Sequence, residues 1–180
     1  VYTRFIDDYT AYCATEDEAQ DFIRRLAEEL AKYKLLLNIR KTEVIPLPRA
    51  LAADWVAELS LALPKGDEVS AYDAVNYLNL AVKLAQQSPD GSVLKYALKT
   101  LLGRKLGFMA DVDVLRYALN LSFHQPVLLP LLEKLFESTM LFGMFIYAEE
   151  LKRLALEHAR MRRSDAVSWA LYFHTRFGVP

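Results

Sequence analysis

The chain has 180 residues, a formal net charge of −1 and 53% hydrophobic residues, which suits one or two small globular domains with a real core. Balanced charge excludes a broad electrostatic surface for nucleic acid, so binding of that kind has to be local. The single cysteine, Cys13, excludes an internal disulfide framework and favours a reducing compartment, the cytoplasm.

The apolar segments are short. The longest of them, MLFGMFIYA, does not reach the length that a bilayer requires, so we expect no membrane partner. Val1 lies in sequence typical of the middle of a strand and is not an initiator methionine. We therefore expect the sequence to be a piece of a longer polypeptide.

The chain opens with two segments rich in β-branched and aromatic residues, 1–7 and 9–14, which predict two strands. The short turn between them falls at Asp7-Asp8, because aspartate tolerates turn geometry. The segment therefore predicts a β-hairpin.

A helix follows over residues 16–33. Thr15 and Glu18 form a capping box before apolar residues at helical spacing. The next segment, LLLNI, predicts a short buried strand, and TEVIPLP predicts an extended piece that its prolines confine to a sheet edge.

After Pro48 the pattern becomes helical, so we predict an α+β chain with a boundary between residues 1–48 and residues 49–180. The helices pair antiparallel with a spacing of about 40 residues, which is typical of HEAT-type repeats, although a plain bundle fits nearly as well. About six helices are predicted, over residues 70–87, 91–103, 111–122, 126–138, 145–160 and 164–177.

Asp7 and Asp8 form a conspicuous pair because they lie in an apolar and aromatic run. Burying two neighbouring carboxylates is costly, and a simple polar turn is one explanation. The chemical alternative is a metal site, since carboxylate oxygens suit Mg²⁺ and a hairpin presents them to water and substrate. Two metals about 4 Å apart can activate a 3′-hydroxyl and stabilise a leaving pyrophosphate.

The stretch RFIDDYTAYCATEDEAQDFIRRLAEELAKYKLLLNIRKTEVIPLP resembles the palm of a reverse transcriptase. In that family an aromatic-x-Asp-Asp hairpin precedes a strand, an acidic-capped helix and an LNxxKT element, which matches Leu37–Thr42 here. Phe5 stands where the family usually has tyrosine. The resemblance covers about the first 48 residues and implies an RNA-directed DNA polymerase.

The resemblance implies a role for each matching residue. Asp7 is expected to bind metal with Asp8 as its companion, with Mg²⁺ or Mn²⁺ as the cofactor. Lys41 is expected to lie near the incoming deoxynucleoside triphosphate, Asn38 to fix that loop, and Phe5 to pack below the hairpin. A solvated lysine and a turn asparagine are the plain alternatives for Lys41 and Asn38. The partners implied are an RNA template and a DNA product.

The family also needs a further aspartate on a central palm strand, which lies upstream of Val1 in this topology. We therefore expect these residues alone to be inactive. An upstream palm and fingers segment, from the same polypeptide or a second chain, is the expected partner, and the sheet should be incomplete without it.

In the helical part, basic residues make a candidate nucleic-acid face. Lys95 and Lys99 lie one turn apart on a predicted helix, and Arg104 and Lys105 follow. Such a row suits phosphate backbones, although an ordinary solvated face has the same appearance.

The ending RRSDAVSWAL, with its SDxxxW pattern, resembles bacterial reverse transcriptases of abortive infection and phage defence. That group carries HEAT-like helices instead of a standard thumb, and some members make DNA without a template from a protein hydroxyl. The resemblance implies antiviral defence, with homo-oligomerisation left open. Ten tyrosines are available as priming residues, and the sequence does not choose among them.

A different interpretation takes the helical part as an interaction or oligomerisation scaffold with an idle palm remnant. VLLPLLEKLF and TMLFGMFIYA are then candidate contact faces, although both also suit a core. A nucleotide cyclase with a related palm is a third interpretation, but it leaves the Asn38–Thr42 element unexplained.

Overall fold

The computed structural model describes residues 1–48, 53–88, 91–139 and 145–177. These residues form eight α-helices and one two-stranded antiparallel sheet, so the α+β class is confirmed. The chain divides into two units, Val1–Leu51 and Ala52–Pro180. Each unit is described by itself below.

The first unit begins with the predicted hairpin. Strands β1 (Tyr2–Phe5) and β2 (Asp8–Ala11) pair antiparallel, with Phe5 opposite Asp8. The turn is therefore Ile6-Asp7, and the predicted turn at Asp7-Asp8 is wrong by one residue. The pairing of Phe5 with Asp8 leaves a two-residue loop, the commonest hairpin connection, and makes Asp8 the first residue of β2.

Helix α1 (Glu16–Lys32) matches the predicted helix, and Thr15 caps it, although Glu18 bonds the residue before the cap and not the cap itself. The Thr15 hydroxyl oxygen accepts a hydrogen bond from the Glu18 amide at 3.2 Å. The Glu18 carboxylate in turn accepts one from the Ala14 amide at 2.8 Å. The first bond satisfies an amide that would otherwise lack a partner at the start of the helix, and the second ties the preceding residue to the first turn. Together they fix where α1 begins.

The hairpin packs one face on α1. The rings of Tyr2 and Phe22 lie 6.1 Å apart, and Tyr9 and Ala11 are half-buried. None of residues 1–48 is fully buried, however. One helix on a two-stranded sheet gives a marginal core, so this unit leaves much of its apolar surface unpacked.

The predicted strand at LLLNI is wrong. Leu36 is 92% exposed, Ile39 is 80% exposed, and Ile39–Lys41 form a short 3₁₀ helix. Residues 42–48 form no strand either. A strand needs a neighbour that accepts its backbone hydrogen bonds, and in residues 1–48 the sheet contains β1 and β2 alone.

Hydrogen exchange tests this correction directly. In this chain the amides of Leu36 and Leu37 should exchange at rates close to those of an unfolded peptide, because neither donates a hydrogen bond within the described residues. The amides of Leu98 and Leu101, which are buried in a helix of the second unit, serve as the protected reference. Protection at Leu36 and Leu37 equal to that reference would contradict the structure.

The second unit is all helical in its described residues, apart from one isolated β-bridge between Val69 and Leu106. Its helices are α2 (Asp54–Ala62), α3 (Ala71–Ala85), α4 (Ser92–Leu102), α5 (Phe108–Ser122), α6 (Leu132–Thr139), α7 (Phe145–Arg160) and α8 (Ser164–Arg176). Each predicted pair is in contact, namely α3 with α4, α5 with α6 and α7 with α8, and α3 also contacts α5. The HEAT-like arrangement stays a prediction.

Two helices differ from the prediction. The sequence pattern does not indicate α2, since Ala53 provides no side-chain cap; this helix packs through Trp55, whose ring meets Tyr96 edge-on at 5.5 Å. The predicted helix at 126–138 starts as a 3₁₀ segment, Pro126–Leu131, before α6 begins. Pro130 explains this, because proline removes an amide donor and clashes with the carbonyl one turn earlier.

The core of the second unit is built around Phe136. Its ring lies 4.8 Å from Phe173, 5.6 Å from Phe177 and 6.2 Å from Tyr147. The candidate contact face VLLPLLEKLF mainly supplies this core, with its buried side chains at Leu128, Leu129, Leu132, Leu135 and Phe136.

The second candidate face, TMLFGMFIYA, is described in part. Thr139 and Tyr147 are buried, and residues 140–144 lie outside the described residues. Among the helices that the structure describes, none has the length and apolar character needed to cross a membrane.

Candidate functional site

The hairpin turn carries backbone strain beside Asp7. Ile6 has a φ of 56°, in the left-handed region. A β-branched side chain is crowded there, and the conformation costs roughly 1–2 kcal/mol for an L-residue. Strain of this kind persists where neighbouring contacts hold it, and it clusters at functional sites.

The register sorts the hairpin residues onto two faces. Phe5 and Asp8 lie directly opposite each other and therefore share a face. Arg4 and Tyr9 form the next pair and share the other face, which is the one that packs on α1. The carboxylate of Asp8 thus belongs to the face that α1 leaves uncovered.

Both carboxylates are free to bind a cation. Asp7 and Asp8 are exposed, and within the described residues neither carboxylate makes a hydrogen bond or an ion pair. Magnesium is usually held by one or two carboxylates together with waters and substrate phosphates, and this pair fits that donor set. The described residues hold no cluster of three or more His, Cys, Asp or Glu suited to a metal, so further ligands would come from elsewhere.

The Asn38–Thr42 element forms one closed turn. The Asn38 carbonyl accepts hydrogen bonds from the Lys41 amide at 2.9 Å and from the Thr42 hydroxyl at 3.0 Å. The side chains of Asn38 and Lys41 are exposed. Within residues 1–48 no hydrogen bond or ion pair joins this turn to the hairpin, so the structure does not bring Lys41 and Asp7 together by such a contact.

The four basic residues predicted to contact phosphates, all in the second unit, divide into two pairs. Lys95 and Lys99 are exposed one turn apart on α4. The Arg104 guanidinium donates to the Gly66 carbonyl, and Lys105 pairs with Glu68 at 2.9 Å. Of the four predicted phosphate contacts, Lys95 and Lys99 are therefore the two without a protein partner in the described part of the chain.

Reversing the charge of Lys95 and Lys99 should weaken binding of a labelled RNA. If both lysines contact phosphates, the K95E/K99E variant should show a weaker salt dependence. The magnitude of the slope of log affinity against log salt should fall by about 2. Fluorescence anisotropy over a salt series measures the slope. The charge-matched control is K152E/R160E on α7, and an equal loss in both variants would show that only net charge matters.

Trp169 of the SDxxxW ending packs against aromatic residues of its own helix. Trp169 lies on α8, with its ring 5.4 Å from Tyr172 and 5.6 Å from Phe173. Nothing in these contacts assigns chemistry to the motif.

Arg4 contacts the hairpin turn, although the sequence pattern does not indicate it as a site residue. Its Nε donates to the Ile6 carbonyl at 2.8 Å, and its guanidinium carbon lies 5.4 Å from the centre of the Tyr9 ring. One sequence signal could have found it: an arginine two residues before a tight turn, opposite an aromatic residue in the paired strand.

Comparison of the chain with protein-family models, with curated proteins and with solved structures finds no match. The functional inference therefore depends on the hairpin, the turn that follows α1, and their order in the sequence.

Proposed function

We propose that the chain is part of an RNA-directed DNA polymerase, a reverse transcriptase of bacterial antiviral defence. The observation that carries the proposal is the pair of exposed carboxylates, Asp7 and Asp8, at a tight and strained hairpin turn. A capped helix and the closed Asn38–Thr42 turn follow in the order typical of a reverse-transcriptase palm.

Each predicted site residue has its own role in this proposal. Asp7 and Asp8 would hold Mg²⁺, or Mn²⁺ in its place. When bound, the metal would supply positive charge for the attacking hydroxyl and the leaving pyrophosphate of a deoxynucleotide. Lys41 neutralises that pyrophosphate, and the Asn38 carbonyl keeps the Lys41 turn closed. Phe5 lies opposite Asp8 on the uncovered face, is 74% exposed, and contacts the substrate on this proposal.

A second segment completes the enzyme. Residues 1–48 bury no side chain fully, and Phe5, Leu36 and Ile39 are among their most exposed apolar residues. An upstream palm and fingers segment, from the same polypeptide or another chain, would cover this surface and add the missing acidic ligand. These residues by themselves are inactive on this proposal.

Under the defence assignment, synthesis without a template from a protein hydroxyl stays an open alternative. Such a hydroxyl has to be accessible, and burial raises the pKa of Tyr77 to about 12, with a further contribution from Tyr96. Burial likewise raises the pKa of Tyr147. These two are poor candidates. The well-exposed tyrosines are Tyr2, Tyr12, Tyr33 and Tyr72.

The test uses the polypeptide extended upstream of Val1, with labelled deoxynucleotides and Mg²⁺, with and without a primed RNA template. Product that requires the template would establish templated reverse transcription. Product made without template and attached to protein would establish the protein-primed type. Absence of product under every condition would reject the polymerase and favour the scaffold interpretation.

A further inference from the structure

We propose that Arg4 is a positioning residue that holds the Ile6-Asp7 turn in the conformation that presents the two carboxylates. The inference rests on the proposed function, because it assigns Arg4 a part in the same site. It depends on three observations: a hydrogen bond, a ring contact and a positive φ.

Arg4 contacts the turn from one side. Its Nε donates to the Ile6 carbonyl at 2.8 Å, while its guanidinium carbon lies 5.4 Å from the centre of the Tyr9 ring. Arg4 and Tyr9 are also a direct cross-strand pair. The contact with the Tyr9 ring keeps the guanidinium over β2. This contact orients the Nε–H group toward the Ile6 carbonyl.

The bonded carbonyl belongs to the peptide that leads into Asp7. Because a peptide unit is planar, fixing the Ile6 oxygen also fixes the amide of Asp7 and the direction in which that residue leaves the turn. Ile6 has its φ at 56°, which a β-branched residue adopts only under restraint. The charge-assisted hydrogen bond from Arg4 supplies that restraint.

Arg4 lies on the side of the hairpin opposite the proposed metal site. It lies on the face that packs on α1, whereas Phe5 and Asp8 lie on the opposite face. It therefore reaches the site through the turn backbone, without touching metal or substrate. The substitution I6G introduces a residue that accepts positive φ freely, and this provides a way to separate positioning from general stability.

The experiment is a double-mutant cycle in the upstream-extended polypeptide. R4Q should lower deoxynucleotide incorporation about tenfold and raise the Mg²⁺ concentration needed for half-maximal rate. In an I6G background R4Q should lower deoxynucleotide incorporation by less than about twofold. Glycine adopts a positive φ freely, so the turn no longer depends on Arg4. R4K should fail to restore the rate, since an ammonium cannot stack and donate as the planar guanidinium does.

The control is R24Q. Arg24 makes an exposed ion pair with Asp21 on α1 at 2.8 Å, so its loss should leave incorporation within about twofold. Equal losses from R4Q in the wild-type and I6G backgrounds would overturn the proposal, because Arg4 would then act independently of the turn.

A second readout does not depend on polymerase activity. In isoleucine-labelled protein the intraresidue NOE between the amide and α protons of Ile6 is strong when φ is positive. It should weaken in R4Q and be unchanged in R24Q. An unchanged Ile6 signal in R4Q would overturn the proposal. A weakened signal with every variant inactive would support the action of Arg4 on the turn while rejecting the polymerase.

Discussion

Replacing Asp7 with asparagine is expected to reduce Mg²⁺-dependent deoxynucleotide incorporation by about a thousandfold. Asparagine preserves size and turn preference but removes the negative charge that holds a hard cation. Asp7 is exposed and its carboxylate has no hydrogen-bonding partner in the described residues, so the folded state should be unaffected. Steady-state incorporation in the upstream-extended polypeptide, with circular dichroism as the folding check, measures both effects.

The matched control for D7N is D17N. Asp17 is an exposed aspartate in the first turn of α1, so D17N removes the same charge from the same unit. We expect incorporation by D17N to stay within about twofold of the wild-type rate. Its free energy of unfolding should fall by about 0.3–1 kcal/mol, because a negative charge near the helix N-terminus interacts favourably with the helix dipole. Equal incorporation by D7N and wild type would exclude Asp7 as a metal ligand.

The local features of the first unit could be predicted because a few neighbouring residues determine them. Thr15 and Glu18 set the start of α1, and β-branched and aromatic residues on either side of a turn set the hairpin. The predicted turn lies one residue too late. Both Asp7 and Asp8 suit a turn, but the pairing of Phe5 with Asp8 decides which residues form it. Register is a property of two strands together.

The incorrect strand has a different cause. An apolar run such as LLLNI is typical of a buried strand, but a strand forms only beside a partner. In the described residues the sheet ends at β1 and β2, and Leu36 remains 92% exposed. Under the proposed function the run would pair with an upstream strand. The position of Arg4 before the turn and opposite Tyr9 could have indicated the residue, but its hydrogen bond to the Ile6 carbonyl depends on the turn geometry.

The second large effect concerns stability of the helical unit. Truncation of Phe136 to alanine should lower the free energy of unfolding by about 3–5 kcal/mol, because it removes a fully buried ring from a close-packed interior. The ring of Phe136, on α6, contacts Phe173 in α8 and Phe177 just after α8. A cavity at Phe136 therefore weakens the packing of α8 as well as that of α6. Urea denaturation followed by tryptophan fluorescence measures the loss, since Trp169 lies 5.6 Å from Phe173.

Tyr72 provides the control for that measurement. It is also aromatic and helical, but it is 77% exposed on α3, so Y72A should change the free energy of unfolding by no more than about 0.5 kcal/mol. A shifted urea midpoint at an unchanged slope would identify lost stability in F136A. A loss below about 1 kcal/mol would contradict the packing described for Phe136, because even partial collapse of the site leaves much of the lost burial uncompensated.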